Sequence, residues 1–246
     1  MSETINHKWY ARSSQIGLLM TKGRGKEPFG ETSKKAILEA CLFNKYQVQK
    51  TIQSRYLDKG IINENESLEM LNKAMGWDLK LDQIQKERKY NEWITGEPDL
   101  VVPGKILADV KSSYDHSTFP WVADLSDLKK HNKNYWFQMQ SYMWLFDFEE
   151  SYLAYCLTDH PAFQINDEVQ RRSWRAMAYP ENGDKNMDLI EDEIREQVTR
   201  ELTYPQIPKE KRIRIFKVQR DIEAIEQIKE RVEEARLIYQ SIYNTI

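Results

Sequence analysis

The sequence has 246 residues, a formal net charge of −3 at neutral pH and 40% hydrophobic residues. This length and apolar content suffice for one sizeable packed domain, which excludes a generally disordered chain. The apolar runs are too short for a membrane span, and the lack of a charged-then-apolar leader predicts a cytoplasmic protein. The slightly acidic balance argues against a protein that coats DNA non-specifically, although a local basic channel remains compatible with it.

The two cysteines exclude several classes of site. Cys41 and Cys156 stand far apart and do not have metal-site spacing. A disulfide framework, a cysteine-based zinc site and an iron–sulfur cluster would all need more ligands. We interpret both residues as reduced thiols in or near the core.

The first third of the chain is predicted to be mainly helical. Serines in RSSQIGLLM are placed to cap a short helix whose apolar side chains face inward. A glycine-rich break, TKGRGKEPFGE, follows, and further helices are predicted at about 32–43, 47–57 and 63–74, the last ending at Gly76. The break is basic. It is either a solvated loop or a contact to a phosphate backbone through Lys22, Arg24 and Lys26.

The remaining pattern alternates strands and helices. Strands are predicted at about 79–81, 89–95, 100–102, 105–111, 151–158 and 212–220, and helices at about 134–146, 166–178, 187–202 and 221–243. This order predicts an α/β (α+β) fold, with a mixed central sheet flanked by helices in a single domain, 1–246. We interpret the polar segment at about 159–211 as a helical insertion in that domain.

One stretch, ITGEPDLVVPGKILADVKSS at 94–113, combines packing with charge. It contains two apolar strands around a Pro-Gly turn, and each strand carries a carboxylate, Asp99 or Asp109. Because strand side chains alternate, Asp109 shares one face with Lys111. An apolar strand that places an acid and a lysine on one face gives up packing energy, which indicates a functional site.

The register of this hairpin decides whether the two carboxylates meet. A two-residue turn at Pro103 and Gly104 pairs Asp99 with Ala108, which leaves Asp109 on the opposite face. A three-residue loop from Pro103 to Lys105 pairs Asp99 directly with Asp109. A metal site therefore requires the three-residue loop or a bulge near Pro98.

Given that register, the oxygens would suit Mg²⁺ or Mn²⁺. Asp99, Asp109 and the Val110 carbonyl would be the ligands, and Lys111 could orient or deprotonate an attacking water. Glu64 or Glu66 could add a third carboxylate. The spacing alone leaves open the alternative of a surface hairpin with ordinary solvated charges.

The same residues resemble a known motif. GEPDLVV followed by ILADVKSS is similar to the motif of the PD-(D/E)XK nuclease superfamily. The segments RSSQIGLLMTKGRGK, KGIINENESLEML and WFQMQSYMWLF resemble, in order and spacing, those of the lambda exonuclease and YqaJ-like viral recombinase family. The resemblance covers roughly 9–158, and the final strand and helix also fit. It implies a restriction-endonuclease-like fold.

The resemblance assigns roles residue by residue. It implies that Asp99 and Asp109 bind the metal, that Lys111 is the catalytic lysine, and that Glu64 reaches the metal directly or through water. Gln138 matches a glutamine beside the catalytic lysine. Tyr142 follows Gln138 by one helical turn, so both are expected to face the site, with Tyr142 near the DNA.

The residues expected to recognise a DNA end match the family less well. Ser14 corresponds to a serine that receives the 5′-phosphate, although a helix cap explains it equally well. Arg12 is the nearest candidate for the family's early arginine. Glu97 replaces a serine that assists the same phosphate, and an anion there is expected to repel a phosphorylated end.

The resemblance implies a Mg²⁺-dependent DNA nuclease, most similar to 5′→3′ exonucleases that act on duplex ends in phage-type recombination. It also implies a homo-oligomer, a ring-shaped trimer, and a single-strand annealing protein as a candidate partner. Two alternatives are a structure-specific endonuclease of the same superfamily and a catalytically silent DNA-binding subunit of a recombination complex. A scaffold role for the acidic segment 181–201 could coexist with any of these.

Overall fold

The first sheet lies near the N-terminus of the chain. The computed structural model describes residues 8–25, 27–49, 54–84, 86–178 and 187–246. Within them, a central strand pairs in parallel with one neighbour and antiparallel with the other. The order is β1 (Ala11–Arg12), β3 (Ile94–Gly96) and β2 (Lys89–Tyr90).

The second sheet has the order β4-β5-β6-β7, with a parallel pair in its middle and antiparallel pairs on either side. Its strands are β4 (Leu100–Val102), β5 (Ile106–Ser112), β6 (Glu150–Cys156) and β7 (Ile213–Gln219). The predicted α/β class with a mixed sheet flanked by helices is confirmed, and the described residues add a second, three-stranded mixed sheet. Pro98 lies between β3 and β4, where it cannot donate a ladder hydrogen bond, and the chain changes sheet there.

Helices cover both faces of the second sheet. They are α1 (Ile16–Leu19), α2 (Glu31–Tyr46), α3 (Arg55–Ile62), α4 (Glu64–Met75), α5 (Leu128–His131), α6 (Lys133–Phe146), α7 (Ala162–Met177), α8 (Met187–Leu202) and α9 (Ile222–Thr245). Short 3₁₀ turns occur at Ser13–Gln15, Leu81–Gln83 and Lys209–Lys211. Among the described residues, none of these helices is long and apolar enough to cross a membrane.

Several local predictions are wrong for identifiable reasons. The predicted strand 89–95 is split because the Asn91 side chain accepts hydrogen bonds from the backbone N–H groups of Trp93 and Ile94, which closes a turn. The predicted strand 79–81 gives way to a 3₁₀ turn at Leu81–Gln83. The predicted helix 47–57 begins only at Arg55, because Gln47 ends α2 in the left-handed conformation; its residues 50–53 lie outside the described part.

The core centres on α6, which is buried along most of its length. Asn132 caps this helix by accepting a hydrogen bond from the Tyr135 N–H at 3.1 Å. The larger apolar cluster joins α6 to Leu107 of β5, whereas a smaller cluster joins α4 to Ala108 and Val110. Because side chains alternate along β5, the face with Leu107 also carries Asp109 and Lys111, so these two residues face α6.

A buried glutamate ties the α7–α8 pair to the rest of the molecule. The side chain of Glu168 on α7 is 8% exposed and pairs with Arg55 of α3 at 2.9 Å, with Arg172 at 2.8 Å and with Arg171. Arg172 in turn bonds Glu201 of α8 at 2.6 Å. Burial raises the pKa of Glu168, but the hydrogen bonds from the arginines outweigh it and lower that pKa to about 2. The network therefore favours the ionised carboxylate.

We expect Glu168→Gln to lower the free energy of unfolding by about 1–2 kcal/mol near neutral pH. A pKa that is depressed in the folded state gives stability above the unfolded value, and this stability is lost as the pH falls toward about 2. The difference between the native protein and the variant should therefore shrink from about pH 6 to about pH 3 in urea unfolding curves. Glu191→Gln, at an exposed pair with Arg195, is the matched control, and an equal loss in the control would contradict the assignment.

Candidate functional site

The hairpin of β4 and β5 closes through the three-residue loop that a metal site requires. Val102 pairs with Ile106, so the loop is Pro103 to Lys105, and Gly104 takes the left-handed conformation at φ 68°. Leu100 pairs with Ala108, and the next position places Asp99 opposite Asp109. Directly opposed residues of an antiparallel pair point to the same face. The predicted register is therefore confirmed.

The side chain of Asp99 accepts a backbone hydrogen bond from β5 at the point where β4 has not yet begun. Its Oδ2 accepts a hydrogen bond from the Val110 N–H at 2.9 Å, in the region where the chain enters β4 after Pro98. In a strand, the N–H and C=O of one residue point to the same side. The Val110 carbonyl therefore points to the side on which Asp99 lies, as its predicted role as a ligand requires.

Asp109 is buried against α6 and lacks full compensation. It is 2% exposed, and the Lys111 ammonium lies 2.5 Å from its Oδ2. Beyond this ion pair, Oδ2 accepts no hydrogen bond from any residue in the described part of the chain. Burial, followed by the charge of Asp99, raises the pKa of Asp109 to about 7 against the opposing effect of Lys111. A carboxylate oxygen has two lone pairs, so Oδ2 can still accept a cation beside the Lys111 ammonium.

A second lysine connects the other two carboxylates. Lys86 Nζ lies 2.6 Å from Glu64 Oε1 and 3.2 Å from Asp99 Oδ1. Glu64 begins α4, so it reaches the site from the helix that packs on the opposite face of the sheet. Glu66, the alternative third carboxylate, is exposed on the same helix. The structure thus brings Glu64, and not Glu66, to the site.

Residues of α6 support the segment that carries Asp99. Gln138 Nε2 donates to the Tyr142 hydroxyl at 2.9 Å, and that hydroxyl donates to the Glu97 carbonyl at 3.3 Å. A Cβ at Gly96 would lie 2.8 Å from the Tyr142 ring, so only glycine lets β3 approach so closely. Gln138 and Tyr142 do lie on one side of α6, but both are buried. Tyr142 therefore presents no free surface to DNA, and we correct its predicted role to one of positioning Glu97 and Asp99.

Ser13 and Ser14 do not cap the first helix. Neither makes a side-chain capping bond; Ser13 is buried and its hydroxyl donates to the Thr95 carbonyl at 3.1 Å. Ser14 is exposed, which leaves it accessible to a phosphate. The prediction that serines cap this helix is therefore wrong.

The predicted basic DNA contacts are on the surface. Arg12, Lys22 and Arg24 are exposed, whereas Lys26 lies outside the described residues. Arg12 also lines an open groove of about 1000 Å³ between the N-terminal strand, α2 and β2. Cations outnumber acids in its lining, with Lys8, Arg12, Lys35 and Arg88 against Glu39.

Glu97 is paired, which changes the expected repulsion of a phosphate. Arg88 Nε lies 3.2 Å from Glu97 Oε2, and both side chains are partly exposed. The guanidinium offsets the carboxylate charge and retains further N–H donors for an anion. Arg88 was not singled out from the sequence.

The oxygen atoms of this site suit a divalent cation, although the side chains do not by themselves form a complete metal site. In the described ranges, no three carboxylate, histidine or cysteine side chains converge closely enough to hold a metal by themselves. Two opposed carboxylates, one with an unsatisfied buried oxygen, and the Val110 carbonyl provide the oxygen ligands that Mg²⁺ and Mn²⁺ prefer. Asp99, Asp109 and Val110 would hold such an ion, with Glu64 close to Asp99 through Lys86.

Comparisons with known proteins find similar structures but no matching sequence family. No family model and no curated protein matches the sequence. The structure is similar to a phage-related exonuclease from Haemophilus somnus 129PT, with 27% identity, 99% coverage of both chains and a TM-score of 0.74. An alkaline exonuclease from Laribacter hongkongensis shares the fold, with 11% identity, a TM-score of 0.55 and coverage of 96% of this chain and 90% of that one. The resemblance to the lambda exonuclease type is therefore confirmed.

Proposed function

We propose that this chain is a metal-dependent DNA nuclease that degrades duplex DNA from its 5′ ends. The observation that carries the proposal is the placement of Asp99 opposite Asp109, with Lys111 on the same face of the sheet. An apolar hairpin has no packing reason to bury an acid beside a second acid and a lysine. The likeness to two exonucleases supports the choice of phosphodiester cleavage.

Each group then has a definite task. A bound Mg²⁺ or Mn²⁺ would polarise the phosphate and lower the pKa of an attacking water. Lys111 is fixed between Asp109 and the Tyr135 ring, 4.9 Å from the ring centre, so its ammonium can orient that water and neutralise developing charge. Gln138 and Tyr142 hold the main chain at Glu97, which sets the position of Asp99.

The basic groove supports an end-binding mode. Its lining includes Thr95 of β3, the strand that leads to Asp99, and Arg88, which pairs with Glu97. A local surplus of positive charge in a net acidic protein attracts a phosphate backbone without coating DNA generally. The exposed Ser14 and Arg12 are the proposed contacts for a terminal phosphate. The proposed setting is phage-type recombination, with a homo-oligomer, a trimer by resemblance, and a single-strand annealing protein as partner.

Digestion of end-labelled linear duplexes tests this function. With Mg²⁺, we expect label to be released first from 5′-labelled ends. A terminal phosphate should speed the release, because Ser14 and Arg12 are its proposed contacts and Arg88 offsets the charge of Glu97. Chelation should stop the release. A covalently closed circle should stay intact.

Three outcomes would change the proposal. Cleavage of the closed circle would favour the structure-specific endonuclease. Release from 3′ ends first would reverse the polarity. Binding of DNA without any cleavage would favour the catalytically silent subunit.

A further inference from the structure

Lys86 occupies an unusual place in the candidate site. Its ammonium bridges Glu64 and Asp99, two carboxylates that come from different elements, a helix N-terminus and the entry to a strand. Lys86 itself belongs to neither element, since it lies between the 3₁₀ turn at Leu81–Gln83 and β2. A third piece of chain therefore supplies the cation that joins them.

The two lysines of the site differ in how they are held. Lys111 is built into β5, its side chain is 23% exposed, and it contacts Asp109 and the ring of Tyr135. The Lys86 side chain is 38% exposed and extends from a segment without regular structure. Lys86 can therefore withdraw toward solvent without disturbing a strand or a helix, whereas Lys111 cannot.

The formal charge of the site differs between the metal-free and the metal-bound state. With Asp109 ionised, as a metal ligand must be, Glu64, Asp99 and Asp109 carry three negative charges and Lys86 and Lys111 carry two positive ones, so one negative charge remains. A divalent cation would turn this remainder positive while Lys86 stays in place. The Lys86 ammonium and the cation would also compete for the oxygens of Asp99.

We propose that Lys86 is a built-in counter-ion of the metal site, which holds Glu64 and Asp99 together before a divalent cation binds and withdraws when it binds. The inference rests on the proposed function, because it assumes that Asp99 is a metal ligand. On this proposal, Lys86 lowers the metal affinity of the site and keeps Glu64 and Asp99 in place while no metal is bound. Lys86 acts on the metal through Asp99 and is a positioning residue.

Calorimetric titration with Mn²⁺ alone tests the proposal without DNA. We expect Lys86→Met to bind Mn²⁺ roughly tenfold more tightly than the native protein, since an ammonium within about 4 Å repels a divalent ion even with water-like screening. The metal-free variant should also unfold at a lower temperature than the native protein, and Mn²⁺ should restore more of its stability. Lys105→Met removes the same charge from the exposed hairpin loop and should change neither quantity.

The native protein offers a second readout that needs no variant. Acetylation of lysines, followed by peptide mass spectrometry, should show that Mn²⁺ increases the reactivity of Lys86 severalfold and leaves that of Lys105 unchanged. Tighter Mn²⁺ binding by Lys86→Met, together with faster acetylation of Lys86 in the native protein when Mn²⁺ is present, supports the proposal. Unchanged or weaker binding by Lys86→Met, or unchanged acetylation of Lys86, would overturn it.

The failures of the two proposals are distinguishable. If the native protein binds Mn²⁺ and cleaves DNA but Lys86→Met binds no more tightly, only the counter-ion inference fails. If the native protein binds no Mn²⁺ and cleaves no DNA, the metal-dependent function fails and this inference fails with it.

Discussion

Replacing Lys111 with methionine should reduce the initial rate of duplex digestion by roughly a thousandfold or more while the protein stays folded. The ammonium lies on the same face as Asp109 and beside the Tyr135 ring, so its removal takes away the donor for the attacking water and the developing charge. Methionine is similar in length and can fill the apolar part of the space. Digestion of a linear duplex in Mg²⁺ measures the effect.

Two controls separate this effect from a loss of structure. Lys105→Met, in the exposed loop of the same hairpin, should digest DNA at the native rate. Circular dichroism should show the same helical signal for Lys111→Met as for the native protein. Digestion by Lys111→Met at the native rate would refute its catalytic assignment and would leave Asp99 and Asp109 without a partner in the chemistry.

The largest expected loss of stability follows from a lysine that the sequence did not single out. Lys59 is fully buried, and its ammonium donates to the carbonyls of Ser113, Tyr114 and Thr158 at 2.7–2.8 Å. Burial lowers the pKa of Lys59 to about 8, whereas the three acceptors use every N–H of an ammonium and favour the charged form. The lysine thus fastens α3 to the chain just beyond β5 and β6.

We expect Lys59→Met to lower the free energy of unfolding by about 2–4 kcal/mol, because three buried carbonyls lose their donor together. Compensation from apolar packing is small, since α3 exposes Tyr56, Leu57, Ile61 and Ile62. Urea unfolding at neutral pH measures the change. Lys80→Met, at an exposed position, is the control, and a loss for Lys59→Met as small as that of the control would contradict this role.

The sequence reduced the hairpin register to a few alternatives, and the metal hypothesis required the one that the structure has. The side-chain period of a strand is two, so the choice between a two-residue and a three-residue loop decides whether Asp99 meets Asp109. Glu64 and Gln138 required the resemblance, since a helix pattern alone does not show which polar residue points to a site. Their roles as catalytic residues stay predictions.

Lys86, Arg88 and Lys59 could not be predicted by the same reasoning. Lys86 and Arg88 lie in a segment without regular structure, where no periodicity relates a residue to a face of the molecule. Lys59 lies on a helix whose apolar side chains are exposed, which reverses the usual rule for which face of a helix is buried. The role of Ser13 could not be predicted either, because its hydroxyl bonds the Thr95 carbonyl, which lies far away in the sequence.

The most direct test of the metal-dependent site is an anomalous difference map from crystals of the protein soaked in Mn²⁺. The expected result is a peak bound by carboxylate oxygens of Asp99 and Asp109 and by the Val110 carbonyl, at distances of about 2.0–2.4 Å. The same soak of Asp109→Asn crystals should show no peak there. A native map without a peak between Asp99 and Asp109, or with Mn²⁺ bound only elsewhere, would contradict the assignment of this hairpin as the metal site.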